Sequence, residues 1–187
     1  MESINVQGKC FDQICDALKR NGKYEELSDL ISNLLRLYEK YVTTITDEIG
    51  EIYFQQGDIY KRTKRPEEAT GQLRKAIHIF SKTGHNGWLV VALNSLGENQ
   101  VDGSKWSEAQ QSFHNVVEIL GNNFPNSHVD LANAKRSLGN AFWGGGEEGK
   151  AVEIYGEVLR IYTDLGNLEE QFIVKEKLDM MKLVTKL

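Results

Sequence analysis

One spacing recurs four times along the chain, and it restricts the fold more than any other feature. Four segments, Gly22-Lys23-Tyr24-Glu25-Glu26-Leu27, Lys64-Arg65-Pro66-Glu67-Glu68-Ala69, Ser104-Lys105-Trp106-Ser107-Glu108-Ala109 and Gly146-Glu147-Glu148-Gly149-Lys150-Ala151, each precede an apolar run of helical period. Twelve residues before the last member of each segment stand Cys15, Gly57, Gly97 and Gly139. Three residues after those stand Leu18, Tyr60, Gln100 and Phe142, and four residues beyond the segments stand Ile31, Leu73, Phe113 and Tyr155. The spacing holds without a gap inside any copy, and successive copies are 42, 40 and 42 residues apart. Such self-similarity is the mark of stacked units of supersecondary structure.

Each copy reads as two antiparallel helices joined at the segment. Glycine in a helix interior costs about 1 kcal/mol against alanine, so its recurrence at 57, 97 and 139 points to close packing. With Ala69, Ala109 and Ala151 it lets two backbones approach, while Tyr60, Phe142, Leu73, Phe113 and Tyr155 fill the remaining volume. Pro66 suits the first turn of a second helix. Ser127 and Asp130, after Pro125, read as a capping box, and Gly84 with Gly144 to Gly146 as turn backbone of positive φ. A lone helix pair cannot bury its apolar stripe, so neighbours stack. The tail from Asn167 has Leu168, Phe172, Leu178 and Met181 at helical spacing and reads as a capping helix. Met180-Met181 and Leu187 leave open a second reading of it, as the first helix of a fifth repeat.

Composition and motifs exclude several kinds of chemistry. The 187 residues hold 22 basic and 27 acidic side chains, a net charge of −5, which argues against an electrostatic nucleic-acid binder. No apolar run reaches membrane-spanning length, and the opening MESINVQGKC lacks a signal core, so an intracellular, cytoplasmic protein without membrane insertion is expected. Cys10 and Cys15 diverge on a helix and read as thiols in a reducing compartment. His78, His85, His114 and His128 form no metal-binding pair, and no cofactor or metal is expected. Gly144 to Lys150 matches most of a phosphate-binding loop, but Ala151 stands where a magnesium-binding hydroxyl belongs and Glu147 and Glu148 would repel phosphate. The segment falls in register with the other inter-helix turns, and no catalytic residue is expected.

The pattern resembles the tetratricopeptide repeat (TPR) family, with its W-x2-L-G-x2-Y and A-x3-F positions. The residues that carry the likeness are Leu96-Gly97 with Ala109 and Phe113, Leu138-Gly139 and Phe142 with Ala151 and Tyr155, and Tyr53, Gly57 and Tyr60 with Ala69 and Leu73. Gln100 replaces an aromatic, no copy has the closing proline, and the 40 to 42 residue period is similar to the kinesin light chain and spindle-orientation adaptor branch. The resemblance implies an all-α, right-handed superhelical solenoid of about four antiparallel helix pairs plus a C-terminal capping helix. It implies one array over the whole chain, with repeats near 5–45, 46–83, 86–121 and 127–165 and the cap at 167–186.

It further implies a non-catalytic adaptor that holds a peptide segment of a partner protein in a groove lined by the first helices. Carried over position by position, the groove residues are Asp12, Asp16, Phe54, Gln55, Asp58, Lys61, Asn94, Glu98, Asn133, Arg136 and Asn140, flanked by Lys9, Lys19, Glu51 and Trp143. Asp12, Asp16, Asp58 and Glu98 make the first three repeats acidic, which favours a basic or neutral segment. Asn94, Asn133 and Asn140 suit peptide backbone, and Phe54 and Trp143 suit apolar anchors. The carboxylate clamp of the family's chaperone-binding members has no counterpart here: the matching registers hold Asp12, Asp16, Gln55, Val91 and Ser95, or Phe54, Asp58, Ser95, Asn133 and Ser137. The alternatives are a self-associating scaffold using the tail helix or the outer face, an enzyme built on the glycine-rich segment, and an RNA-reading helical repeat.

Overall fold

The structure, a computed structural model, describes residues 15–41 (side chains to 37) and 46–185. Residues 15–20 are helical. The helices that follow are α1 (Tyr24–Tyr41), α2 (Asp47–Arg62), α3 (Pro66–Thr83), α4 (Asn86–Asp102), α5 (Trp106–Asn123), α6 (His128–Gly144), α7 (Glu148–Asp164) and α8 (Leu168–Val184). No strand occurs among the described residues. The chain divides after Gly84 into two compact units, with α1 to α3 in the first and α4 to α8 in the second.

The repeated small residues are notches. A Cβ on Gly57 would lie 2.8 Å from Leu73 Cγ, on Gly97 2.7 Å from the Phe113 ring, and on Gly139 2.8 Å from the Tyr155 ring. These are the large residues the spacing pairs with each glycine. In the same helix pair as Gly57, Gly50 faces Phe80, and Asp47 accepts a hydrogen bond from Thr83 at 2.5 Å. The contacts run 47 with 83, 50 with 80 and 57 with 73, so α2 and α3 are antiparallel. Around the notches the interior is filled by Leu27, Ile31, Ile59, Leu73 and Phe80 in the first unit. In the second unit, Ala109 and Phe113 pack with Leu138 and Ala141, while Tyr155, Val158 and Tyr162 pack with Val174, Leu178 and Met181.

Gln100 shows how the repeat absorbs a departure from its pattern. It is 3% exposed where its counterparts are Tyr60 and Phe142. Its amide oxygen accepts from Ser112 Oγ at 2.8 Å and its amide nitrogen donates to Glu108 at 3.3 Å. A buried polar group is tolerable when both of its ends are bonded.

One turn geometry closes every first helix. The N–H groups of Lys23, Arg65, Lys105 and Glu147 donate to the carbonyls of Leu18, Tyr60, Gln100 and Phe142 at 2.8–2.9 Å. A second bond, closing a smaller ring at 2.9–3.1 Å, runs from the residue before each donor, and that residue is left-handed: Gly22 (φ 68), Lys64 (58), Ser104 (55) and Gly146 (79). This is the Schellman motif. Gly166 (φ 67) repeats it before α8. Gly84 is left-handed as expected, and Pro66 opens α3. Gly144 and Gly145 differ from expectation: Gly144 ends α6 and Gly145 is right-handed, because only one residue per turn needs the left-handed conformation. The capping box at Ser127 and Asp130 does not form either. Ser127 sits at the N-cap without a side-chain bond, and its N–H donates to Phe124 O at 3.0 Å.

α8 packs on α7 as α6 packs on α5, since Val174, Leu178 and Met181 match Ala134, Leu138 and Ala141 in helix register. The opposite face differs. Asp179 takes the place of Gly139, and Phe172, 62% exposed, takes the place of the buried Ala132. A carboxylate there removes the notch that α2, α4 and α6 offer their partners, while Leu168, Phe172 and Leu183 leave the same side of the helix largely apolar.

The notches make a stability prediction with a built-in contrast. Gly97→Ala gains about 1 kcal/mol of helix propensity but overpacks Phe113, and a net loss of about 1–2 kcal/mol is expected in urea unfolding. Gly71→Ala, in α3 with nothing near its Cβ, should instead gain about 0.5–1 kcal/mol. Equal effects of the two substitutions would remove the packing explanation.

Candidate functional site

Where first helices follow one another in the second unit, the structure opens a cleft of about 480 Å³. α4 supplies Gly87, Val90, Val91, Asn94 and Glu98, and α6 supplies Asp130, Asn133, Ala134 and Ser137. Leu120, Phe124 and Ser127, from the end of α5 and the connection to α6, complete the lining. The cleft exists because the residues facing it are small: glycine, serine, alanine and asparagine take positions where a long side chain would close it. Its walls are valine, leucine and phenylalanine, interleaved with the polar side chains of Asn94, Glu98, Ser127, Asp130, Asn133 and Ser137, so apolar surface and convergent polar groups meet as they do in ligand sites.

The hydrogen-bonding state of the amides separates them. Asn94 is half-buried and forms no hydrogen bond among the described residues. Asn133 accepts twice on its oxygen, from Arg136 Nη2 and from the Tyr162 hydroxyl, each at 3.0 Å. It therefore has donors to offer a ligand but no uncommitted oxygen direction of the same quality. Asp130 is exposed and has no ion-pair partner among the described residues. Glu98 is exposed on the other wall.

The expected groove residues thus fall into distinct groups. Asn94, Glu98 and Asn133 meet in the cleft. Arg136 lies outside its lining, held by Glu170 of α8 through an Nη1 to Oε2 contact of 2.9 Å. Asn140, also outside, accepts from the Tyr155 hydroxyl at 2.7 Å. Phe54, Gln55, Asp58 and Lys61 are half-buried on α2 in the first unit, where Asp58 pairs with Arg62 at 2.9 Å. Gln55 Oε1 is buried without a hydrogen-bond partner among the described residues. Asp16 is exposed within the helical segment 15–20, and Asp12, Lys9 and Cys10 lie outside the described residues. Among the flanking residues, Trp143 packs against the core of α6 to α8, and Lys19 and Glu51 are half-buried.

Sequence reasoning missed Asp130, Phe124, Val90 and Ala134 as lining. Asp130 had been assigned to a cap, so the failure of that cap is the signal that frees it. Phe124 reaches the cleft through the path of the α5–α6 connection, which repeat spacing alone does not specify, while Val90 and Ala134 line it from α4 and α6.

The glycine-rich segment forms the turn between α6 and α7. Gly144 lies under the Trp106 indole, where a Cβ would be 2.4 Å from the ring. Glu147 accepts from Lys150 at 2.6 Å and from Gln110 at 2.8 Å, and the Lys150 bond holds its carboxyl below the usual range. The lysine that would meet a phosphate is committed to this turn. His78, His85, His114 and His128 are exposed, and no group of three or more potential metal ligands occurs among the described residues. No helix among them is long and apolar enough to cross a membrane.

No family model matches the sequence, and no curated protein matches it. Solved structures do. A Podosopora anserina protein assigned as a kinesin light chain, with nearly identical TPR-like repeats, is 16% identical and matches with a TM-score of 0.71 over 95% of both chains. The apo form of RapI is 15% identical, with a TM-score of 0.80 over 99% of this chain and 53% of that one. The Rap conjugation gene regulator of plasmid pLS20, in complex with the Phr* peptide, is 14% identical, with a TM-score of 0.59 over 92% of this chain and 52% of that one. The chain spans about half of each Rap protein. These likenesses show a TPR-like helical-repeat fold.

Two tyrosines of α7 supply a measurable signature. Burial pushes both the Tyr155 and Tyr162 phenols above the ordinary value. The folded state keeps protons that the unfolded chain releases near pH ~10, so stability should fall as pH rises past that point. Tyr162→Phe should lessen this alkaline loss, seen as a flatter dependence of the urea midpoint on pH, and should cost about 0.5–1.5 kcal/mol at neutral pH through the lost bond to Asn133.

Proposed function

We propose that this TPR-like chain is a non-catalytic protein-interaction adaptor, and that the cleft between α4 and α6 receives a peptide segment of its partner. The observation that carries the reading is the state of Asn94, a half-buried amide in an apolar-walled cleft with no hydrogen bond among the described residues. A peptide backbone satisfies such a group by giving a donor to its oxygen and an acceptor to its nitrogen. Asn133, on the facing helix, adds donors only. The Rap regulator bound to the Phr* peptide is a precedent for peptide binding on this kind of fold. The other expected groove residues, from Asp12 and Asp16 through Phe54, Gln55, Asp58 and Lys61 to Arg136 and Asn140, belong to this reading as secondary contacts. A cytoplasmic setting belongs to the same reading.

A display library of random peptides, selected on the full chain, tests the proposal. Ser137→Phe places a ring in the cleft from a half-buried helix position and should leave the circular dichroism spectrum unchanged. Enriched peptides should lose at least about tenfold in affinity for that variant, as expected when a central anchor is blocked. Peptides that bind it as tightly as the parent would remove the cleft from the function.

A second reading has its own observation. Leu168, Phe172 and Leu183 of α8 are 77, 62 and 70% exposed and lie along one side of the helix. A stripe of this kind favours self-association through α8. On that reading, sedimentation velocity at tens of micromolar should show a dimer that Phe172→Glu converts to monomer. A monomeric parent protein eliminates it.

A further inference from the structure

The cleft has a neighbour in which the same positions are filled, and the comparison identifies what the cleft lacks. α4, α6 and α8 begin at Asn86, His128 and Leu168, so their residues can be matched turn by turn. Asn94 of α4 corresponds to Arg136 of α6, and Asp130 of α6 corresponds to Glu170 of α8. Between α6 and α8, Arg136 reaches across and pairs with Glu170 at 2.9 Å, and the Tyr162 hydroxyl bonds to Asn133 behind them. Between α4 and α6 the anion remains as Asp130, but the cation has become Asn94, shorter and neutral. The volume an arginine would occupy is part of the open cleft, which Asn94 and Asp130 both line.

Building on the peptide-cleft reading, we infer that the cleft is a receptor for an arginine side chain of the bound segment, which completes with Asp130 the ion pair that Arg136 and Glu170 complete next door. The lining contains two carboxylates, Asp130 and Glu98, and no lysine or arginine. Val90 and Phe124 provide an apolar wall for the aliphatic stem, with the phenyl ring available to the guanidinium face. Asn94 and the donors of Asn133 are then left for the backbone on either side of that arginine. Arginine fits better than lysine because its planar fork presents several donors at once, as Arg136 does next door with one nitrogen on Glu170 and another on Asn133. Both carboxylates are exposed in the free protein, where an ion pair adds little. A covering peptide removes water from them, so the pair gains strength only in the complex and acts mainly as a selector of ligand.

The test uses the full chain and peptides from the random display library. Each cleft-dependent peptide is made in a second form, with arginine replaced by citrulline, a neutral group of nearly the same shape. Three variants are compared with the parent: Asp130→Asn, Asn94→Arg, and Glu118→Gln as a charge control, since Glu118 on α5 is not among the lining residues. Citrulline should weaken binding to the parent about tenfold, in the range of a charge-assisted hydrogen bond, and should make little further difference in Asp130→Asn. Asn94→Arg supplies the missing cation from the protein itself, as position 136 already does, and should abolish binding of the arginine peptides. Glu118→Gln should bind as the parent does. Peptides that depend on the cleft but carry no arginine, or that bind Asp130→Asn and Asn94→Arg undiminished, overturn the arginine site and leave the peptide cleft standing. Peptides indifferent to Ser137→Phe overturn the cleft itself, and the arginine site with it.

Discussion

The structure depends on one steric relation, a residue with no side chain on the first helix of a pair facing a large one on the second. Gly57 with Leu73, Gly97 with Phe113 and Gly139 with Tyr155 repeat it, and in the first repeat the buried Cys15 stands at the same position with Ile31 as its large counterpart. The energies explain why selection for packing outweighs helix propensity. A glycine in a helix interior loses about 1 kcal/mol against alanine. Full burial of an aliphatic or aromatic side chain returns about 1.5–3 kcal/mol, and only the notch lets that side chain sit against backbone. The helix axes are thereby drawn together, and the residues left over on the first helix are those that can face a ligand.

The inter-helix turn is the second fixed element, and it tolerates more varied chemistry than the notch. The left-handed position holds glycine at 22 and 146 but Lys64 and Ser104 elsewhere, each with φ near 55–58°. A side chain there costs about 1–2 kcal/mol, yet the paired bonds back to the helix form in all four turns, at 2.8–2.9 Å and 2.9–3.1 Å. Backbone hydrogen bonding therefore maintains the turn through residue types that would not select it. A phosphate-loop likeness arises in the same place for an ordinary reason: four glycines, two acids and a lysine form a turn that packs under Trp106 and pairs Lys150 with Glu147.

Much of this was legible in the sequence because the notch, its large partner and the turn sit at constant separations. Gly97 and Phe113 could be matched without coordinates, and so could the turn residues Lys64 and Ser104. The site was legible only in part. Asn94, Glu98 and Asn133 follow from their place on the first helices, but Arg136 and Asn140 share that place and do not line the cleft. What distinguishes them is a partner on another helix, Glu170 for Arg136 and Tyr155 for Asn140, and helix periodicity does not encode such partners. Asp130 was misread because a local signal, serine three residues before an acid, competes with a tertiary role. Gln100 is the reverse case, a departure from pattern whose compensation by Ser112 becomes visible only when both side chains are placed.

Repetition also explains why function concentrates where repeats differ. In an array of near-equivalent units, any position that is the same everywhere serves packing, since each unit faces the same stacking problem. A surface able to discriminate among ligands must come from substitutions that packing does not require. Exchanging arginine for asparagine between Arg136 and Asn94 is one of these: it leaves the notches, the turns and the core untouched, yet it turns a closed ion pair into a cleft with an anion at its edge. Tyr162 acts in the same way from the other side, since its hydroxyl ties Asn133 to the filled interface and orients that amide with its donors uncommitted. On the proposed reading, the binding site is the place where one repeat omits a contact that its neighbour makes, and the omitted group indicates the ligand chemistry that would restore it.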